Sequence, residues 1–371
     1  MRSLRPLSQQ SRTRLLLVPL IGLSIAAGCS DTTSPPAAPG FLGGTIDNHA
    51  IGVVVNSTGK AVTLFQVGSP TTQAKIALGT SNTVTPTGFS LAGRQMAVPL
   101  GNAASVALIN LETQAITRFY QFTSGNATGS VFVDDTTIVA ANTNTNVLGK
   151  MTTGQTADAI TSTVGVCNGP TAVAAASGRI FATCSNLDEN FNPAGNGVVT
   201  VVDAKTFTVL GNVTSGGTNS TDAAVGPDGL LYVVNTGDFV NPGSLTIIDP
   251  ATRQVVTTAQ MGVAPGAIWI DNNGLAYISS ASEGTFVWNT KTRTFVRGPD
   301  NPVCAKVAAS GKCRGAFATT TDANGTVYQL FFGSASQGLP PAAFIYAPST
   351  FALRDSVSVG SGPAAIQVRT F

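Results

Sequence analysis

Few side chains of this sequence are able to do acid–base or metal chemistry. Of 371 residues one is a histidine, five are cysteines and 10% are charged. A Ser-His-Asp arrangement would have to use His49, and no GxSxG turn offers it a nucleophile. No CxxC pair, no haem-attachment sequence and no Gly-rich loop trailed by Lys and Ser/Thr is present. Oxygen ligands are the exception. CSNLDENFNPAGNG (184–197) concentrates Asp188, Glu189, Asn190 and Asn192, and NTGDFVNPGS (235–244) adds Asp238 and Asn241. Carboxylate and amide oxygens at that density suit a hard cation such as Ca²⁺, or a polyol. DENFN lacks the D-x-[DN]-x-[DN]-G spacing of a dedicated calcium loop, so a solvated run of turn formers is the plainer reading. Glu283 and the pair Asp222 and Arg314, which open two inner strands, complete the candidate ligand-binding set.

The cysteines have a structural reading. Cys167, Cys184, Cys304 and Cys313 make an even number in a chain with export signals, which implies two disulfides. Pairing Cys167 with Cys184 and Cys304 with Cys313 is the simplest of three connectivities. A redox or metal site finds no CxxC spacing and no nearby histidine to support it.

The fifth cysteine belongs to the N-terminus. Residues 1–14 hold Arg2, Arg5, Arg12 and Arg14 and no acid, and LLLVPLIGLSIAA (15–27) is an apolar run of signal-peptide length. It ends in AAGC, which resembles the lipobox of bacterial lipoproteins; that resemblance implies diacylglycerol on Cys29 and an envelope anchor. Residues 1–28 are then a signal peptide, 29–48 a Pro/Ser/Thr/Gly tether, and 49–371 the folded part. Removing the four arginines from 20 basic residues leaves 16 against 18 acidic ones. The mature chain carries no basic stripe, which argues against nucleic acid as a partner.

The elements that would position these residues are strands. Forty glycines and only 10% charged residues favour short strands and turns over solvated helices. ALINLETQ (107–114), TVVDAKTF (200–207), TIIDPATR (246–253), FVWNTKTR (286–293) and FIYAPSTF (344–351) share one pattern: apolar residues, a turn former, two variable positions, then Thr. A side-chain oxygen at the turn accepts the backbone N–H two residues on. VLGKMTTG (147–154) and TLFQVGSP (63–70) are weaker copies. Upstream lies a second hairpin with turns LAGR, ASGR, PDGL, NNGL and ANGT, each leading into an alternating strand. Four antiparallel strands per unit, at intervals of 40 to 58 residues, predict an all-β, seven-bladed propeller. The first unit lacks its leading strand and the C-terminal GPAAIQVRTF matches the inner strands, so the last strand is expected to complete the first blade. Loops between second and third strands, with those joining blades, would then line one face of the ring.

GLLYVVNTGDFVNPGSLTIIDPATRQVV resembles the YVTN-type repeat of bacterial and archaeal surface propellers, strongly in blade 5 and weakly in blades 1, 3 and 7. The resemblance implies a seven-bladed fold in an exported protein and carries no catalytic residues. Two functions follow. One is a monomeric, lipid-anchored binding or scaffolding module in the periplasm or on the outer membrane, presenting a face to an envelope protein, peptide or glycan. The alternative is a metal-assisted lactone or ester hydrolase, or a lyase, at the channel mouth, drawing on Asp222, Asp238, Asn241 or Glu283.

Overall fold

The computed structural model describes residues 41–308 and 310–371. The stretch read as a signal peptide, the AAGC motif and Cys29 lie outside the described residues. The rest forms seven four-stranded antiparallel sheets arranged in a ring, the expected propeller. Naming each blade from its inner strand outward, blade 2 is Ser90–Ala92, Gln95–Pro99, Ser105–Asn110 and Ala115–Gln121. Blade 3 is Ala127–Phe132, Thr137–Asn142, Val147–Thr152 and Ser162–Gly165; blade 4 is Pro170–Ala176, Arg179–Cys184, Asn196–Asp203 and Val209–Thr218. Blade 5 is Ser220–Val225, Leu231–Asn235, Pro242–Asp249 and Gln254–Val263; blade 6 is Pro265–Ile270, Leu275–Ser280, Gly284–Asn289 and Thr294–Arg297. Blade 7 is Thr319–Thr321, Val327–Phe331, Ala342–Tyr346 and Leu353–Ser358. Blade 1 takes its inner strand from the C-terminus, Pro363–Thr370, which pairs with Ala50–Asn56 in a register that sets Val53 opposite Gln367; Ala61–Gln66 and Ser69–Ala77 follow outward.

The turns form as their side chains dictate. Asp203 Oδ1 accepts the N–H of Lys205 at 3.0 Å and of Thr206 at 2.8 Å, and Asp249 and Asn289 do the same in blades 5 and 6. The inner hairpin of blade 5 needs a left-handed residue, and Gly229 supplies it at φ 78.

Apolar side chains are buried between blades, not at a common centre. Seven clusters form among the described residues, one at each blade interface. Strand Leu231–Asn235 shows how. Leu231 and Val233 join the cluster shared with blade 4, while Tyr232 and Val234 join the one shared with blade 6. With both faces covered, the period-2 alternation selects a neighbour and not a solvent side. Each such side chain contributes about 1.5–3 kcal/mol. A lone sheet would leave both sets in water; the ring leaves neither.

Part of the stretch read as tether is built into the ring. Phe41 and Leu42 pack on the blade 1–2 cluster, and Ile46 within it is 1% exposed. Asn48 N–H donates to Phe371 O at 2.7 Å, and Arg94 of blade 2 pairs with both Asp47 and Glu112. Both disulfides form with the local pairing, Cys167–Cys184 (Cα–Cα 5.9 Å) and Cys304–Cys313 (Cα–Cα 5.4 Å).

Candidate functional site

One face of the ring carries the loops between second and third strands together with the links between blades; it is called the upper face below. The Asn that ends the second strand stiffens this face. In blade 5 Asn235 Oδ1 accepts the hydroxyls of Ser215 and Ser220, each at 2.6 Å, and its amide donates to Ser244 Oγ and Thr246 Oγ1. Buried Asn56 and Asn142 close the same strand in blades 1 and 3. Cys184 ends the second strand of blade 4, and its disulfide ties that end to the link from blade 3.

On this base stand the two acidic loops. In the blade 4 loop Asp188 Oδ1 accepts the N–H groups of Asn190 and Asn192, both at 2.9 Å, so its carboxylate is engaged in holding the loop. Glu189 and Asn190 are exposed beside it. In the blade 5 loop Asp238 takes the N–H of Val240 (3.0 Å) and of Asn241 (2.7 Å) and the Asn241 amide (2.7 Å). These donors, the Asn241 N–H foremost, hold the Asp238 carboxyl below its ordinary value. Glu283 Oε2 accepts the Val263 N–H at 2.7 Å. The structure therefore pairs Asp238 with Asn241 and commits Asp188 and Glu283 to backbone. Among the described residues no three His, Cys, Asp or Glu side chains gather closely enough to hold a metal ion.

The same loops present residues that sequence reasoning passed over. Phe191 is 82% exposed, and Phe239 and Val240 are 62% and 77% exposed, on neighbouring blades. Both phenylalanines adopt left-handed backbone, φ 62 and φ 65. The signal was present in DENF and GDFV, an apolar residue inside an otherwise polar turn. Periodicity has nothing to say about a side chain off the strands.

Below this rim runs the central channel, a cavity of about 860 Å³. A hydroxyl seam stitches its wall: Thr128 Oγ1 donates to Pro170 O (3.0 Å), Thr171 Oγ1 to Ser220 O (3.2 Å) and Thr221 Oγ1 to Gly266 O (3.0 Å), each to the next blade. One residue further along is Asp222. Its Oδ2 accepts the Ile268 N–H of blade 6 at 2.9 Å and its Oδ1 the Ala223 N–H at 2.9 Å. Burial pushes the Asp222 carboxyl up from 3.8 to about 6, the two N–H donors opposing the shift only in part. Arg314 is not among the residues lining the channel; its guanidinium lies over the rings of Phe331 and Phe344, 5.3 and 5.4 Å from their centroids. At the channel mouth the rings of Phe317 and Phe332 stack at 4.7 Å. The His49 ring meets Gln66, with Nδ1 3.4 Å from the amide nitrogen.

No family model and no curated protein matches the chain. Solved structures do. A chain of Kuenenia stuttgartiensis hydrazine synthase aligns over 79% of this chain and 97% of its own, at 11% identity and a TM-score of 0.60. A functionally unknown protein from Desulfotomaculum acetoxidans aligns over 86% and 98%, at 14% identity and a TM-score of 0.65. At such identities these likenesses show the fold and nothing of the chemistry.

Proposed function

We propose that the protein is an exported propeller acting as a binding or scaffolding module, which takes a protein, peptide or glycan on its upper face. The observation that carries this reading is the pair of bare aromatic side chains, Phe191 and Phe239, raised on Asp-capped turns of adjacent blades. Aromatic anchors set among polar groups are how interfaces concentrate binding energy. Asp188, Glu189 and Asp238 give that surface an acidic rim.

Location follows from the same chain. Two disulfides point to an oxidising, exported compartment. The arginine-rich start, the AAGC motif and the YVTN-type repeat support an envelope lipoprotein anchored through Cys29. With Asp238 and Asn241 bonded to each other and Glu283 to backbone, no observation favours the hydrolase reading over this one.

Arrays of peptides and glycans, probed with the wild-type protein and with a Phe191→Ser/Phe239→Ser double variant, test the proposal. The expected result is a saturable ligand whose affinity drops roughly a hundredfold in the variant, the scale of two lost anchors. A ligand held equally by both proteins, or none at all, overturns it.

A further inference from the structure

We infer that the central channel is a second, separate binding site, for a small apolar organic cation: an aryl- or alkylammonium whose charge pairs with Asp222 while its hydrocarbon body lies along the channel wall. The inference does not depend on what the upper loops bind.

The wall is mostly apolar, with aliphatic side chains such as Val131, Val173, Ile268 and Ile366 and the aromatic rings of Phe89, Phe132 and Trp269 among small residues and hydroxyls. Among the described residues that line it, Asp222 is the sole ionisable one. The inner strands on either side, Pro170–Ala176 and Pro265–Ile270, contain no titratable side chain, and Asp222 is the only one in its own strand. No lysine or arginine pairs with it among the described residues. A carboxylate offers about four lone-pair positions, and two backbone N–H groups occupy two of them. Desolvation raises the carboxyl despite these two donors, and no basic side chain stands opposite it among the described residues.

The fold does not require an acid here. After the same one-residue register shift, blades 4, 6 and 1 place Ala172, Ala267 and Ala365 where blade 5 places Asp222. Three blades close the inner seam with a methyl group, and the fourth carries a partly buried carboxylate facing the channel, which is costly unless something answers it.

The missing partner is a cation, and the wall selects its class. A hard divalent ion takes six to eight oxygens. Here there is one carboxylate, and the adjacent hydroxyls of Thr171 and Thr221 are already donating across the seam. An ammonium on an apolar body needs only the one counter-charge, and its carbon skeleton gains from the apolar and aromatic wall. The volume lies within the range of small-molecule sites. At the mouth the Phe317–Phe332 pair offers ring faces to a passing cation or an aryl group.

Phenethylammonium chloride titrated into the protein at pH 7.5, followed by tryptophan fluorescence, is the test, because Trp269 lines the channel. The expected outcome is a saturable signal that the neutral isostere 2-phenylethanol does not give. Affinity should weaken as pH falls through about 6, where Asp222 takes up a proton. Asp222→Asn, which keeps a carbonyl acceptor for one N–H, should weaken binding roughly tenfold or more, the scale of a charge-assisted hydrogen bond. A thermal melt checks that this variant is folded. Should it not fold, the wild-type contrast between the amine and the alcohol decides. An equal response to the alcohol, no saturable response, displacement by CaCl₂ at constant ionic strength, or unchanged affinity in a folded variant would each overturn the inference.

Discussion

Four phenylalanines of this protein occupy the same left-handed backbone region, and the ring treats them in two ways. Phe207 and Phe351, at φ 56, sit in turns between third and fourth strands, on the lower face. Phe191 and Phe239, at φ 62 and 65, sit in the loops of the upper face. A large side chain in that conformation costs about 1–2 kcal/mol. On the lower face burial offsets it: Phe207 is 8% exposed within the blade 3–4 cluster, under Lys150 Nζ at 4.8 Å, and Phe351 is covered by Arg297 at 5.3 Å. On the upper face the rings are bare and nothing offsets the strain. The lower face is built for stability, and the upper face and the channel beneath it give stability up. Asp222 belongs with the upper pair in this respect, since it too carries a cost its own fold does not recover.

The largest expected effect lies on the lower face. Phe207→Ala leaves the left-handed backbone unchanged and removes only the ring, so its cost isolates burial. Truncating a buried Phe costs about 3–5 kcal/mol, and a fall in urea-unfolding stability of that size is expected. A loss below about 1 kcal/mol, the level of surface substitutions, would mean the two faces do not differ.

Asp222 gives an effect of intermediate size and opposite sign. Its carboxyl titrates near 6 in the folded chain and near 3.8 when unfolded. Between these values the native state holds a proton the unfolded state has lost. The Asp222 contribution therefore falls as pH rises through that window, and the full penalty stands above about 6. At 1.4 kcal/mol per pKa unit it approaches about 3 kcal/mol. Asp134, Asp203, Asp238 and Asp249, whose carboxyls lie below their ordinary value because backbone N–H groups or hydroxyls bind them, act oppositely and at lower pH. They are common to both chains and cancel in a difference. Asp222→Asn is thus expected to gain stability relative to wild type between pH 4.5 and pH 7.5, measured by urea midpoints. A constant difference across that range would show that the carboxylate costs the fold nothing.

The sequence made the blades legible and the surface much less so, for reasons that lie in particular residues. Asp203, Asp249 and Asn289 announce their turns because each carries the acceptor its own backbone needs. Blade 3 is faint because VLGKMTTG has no such residue; there Gln155 reaches back to the Thr152 N–H at 3.0 Å. The burial of Ile46 is not legible because it is a single apolar residue in GTIDN, and only the blade 1–2 cluster shows it. Asp222 was legible as an acid at the opening of an inner strand; its isolation was not, since that depends on strands from other blades. Arg314 is held by Phe331 and Phe344, a contact no local pattern foretells.

The smallest expected effect is the sharpest test of the comparison. Glycine adopts left-handed backbone freely, so Phe191→Gly and Phe239→Gly each relieve strain of about 1 kcal/mol or more while adding about 0.5–1 kcal/mol of unfolded-chain entropy. Each loses little buried area, because Phe191 is 82% and Phe239 62% exposed. The two terms nearly cancel, and thermal stability is expected to stay within about 0.5 kcal/mol of wild type, as for a free surface position. The same substitution at Phe207 would remove strain too, yet would still cost most of the burial energy, so the sign of the difference between faces does not rest on the backbone term. If either upper variant fell by about 2 kcal/mol, its ring would have to be covered in solution, by a second copy or by a loop rearrangement, and the upper face would then be stabilised in the same way as the lower.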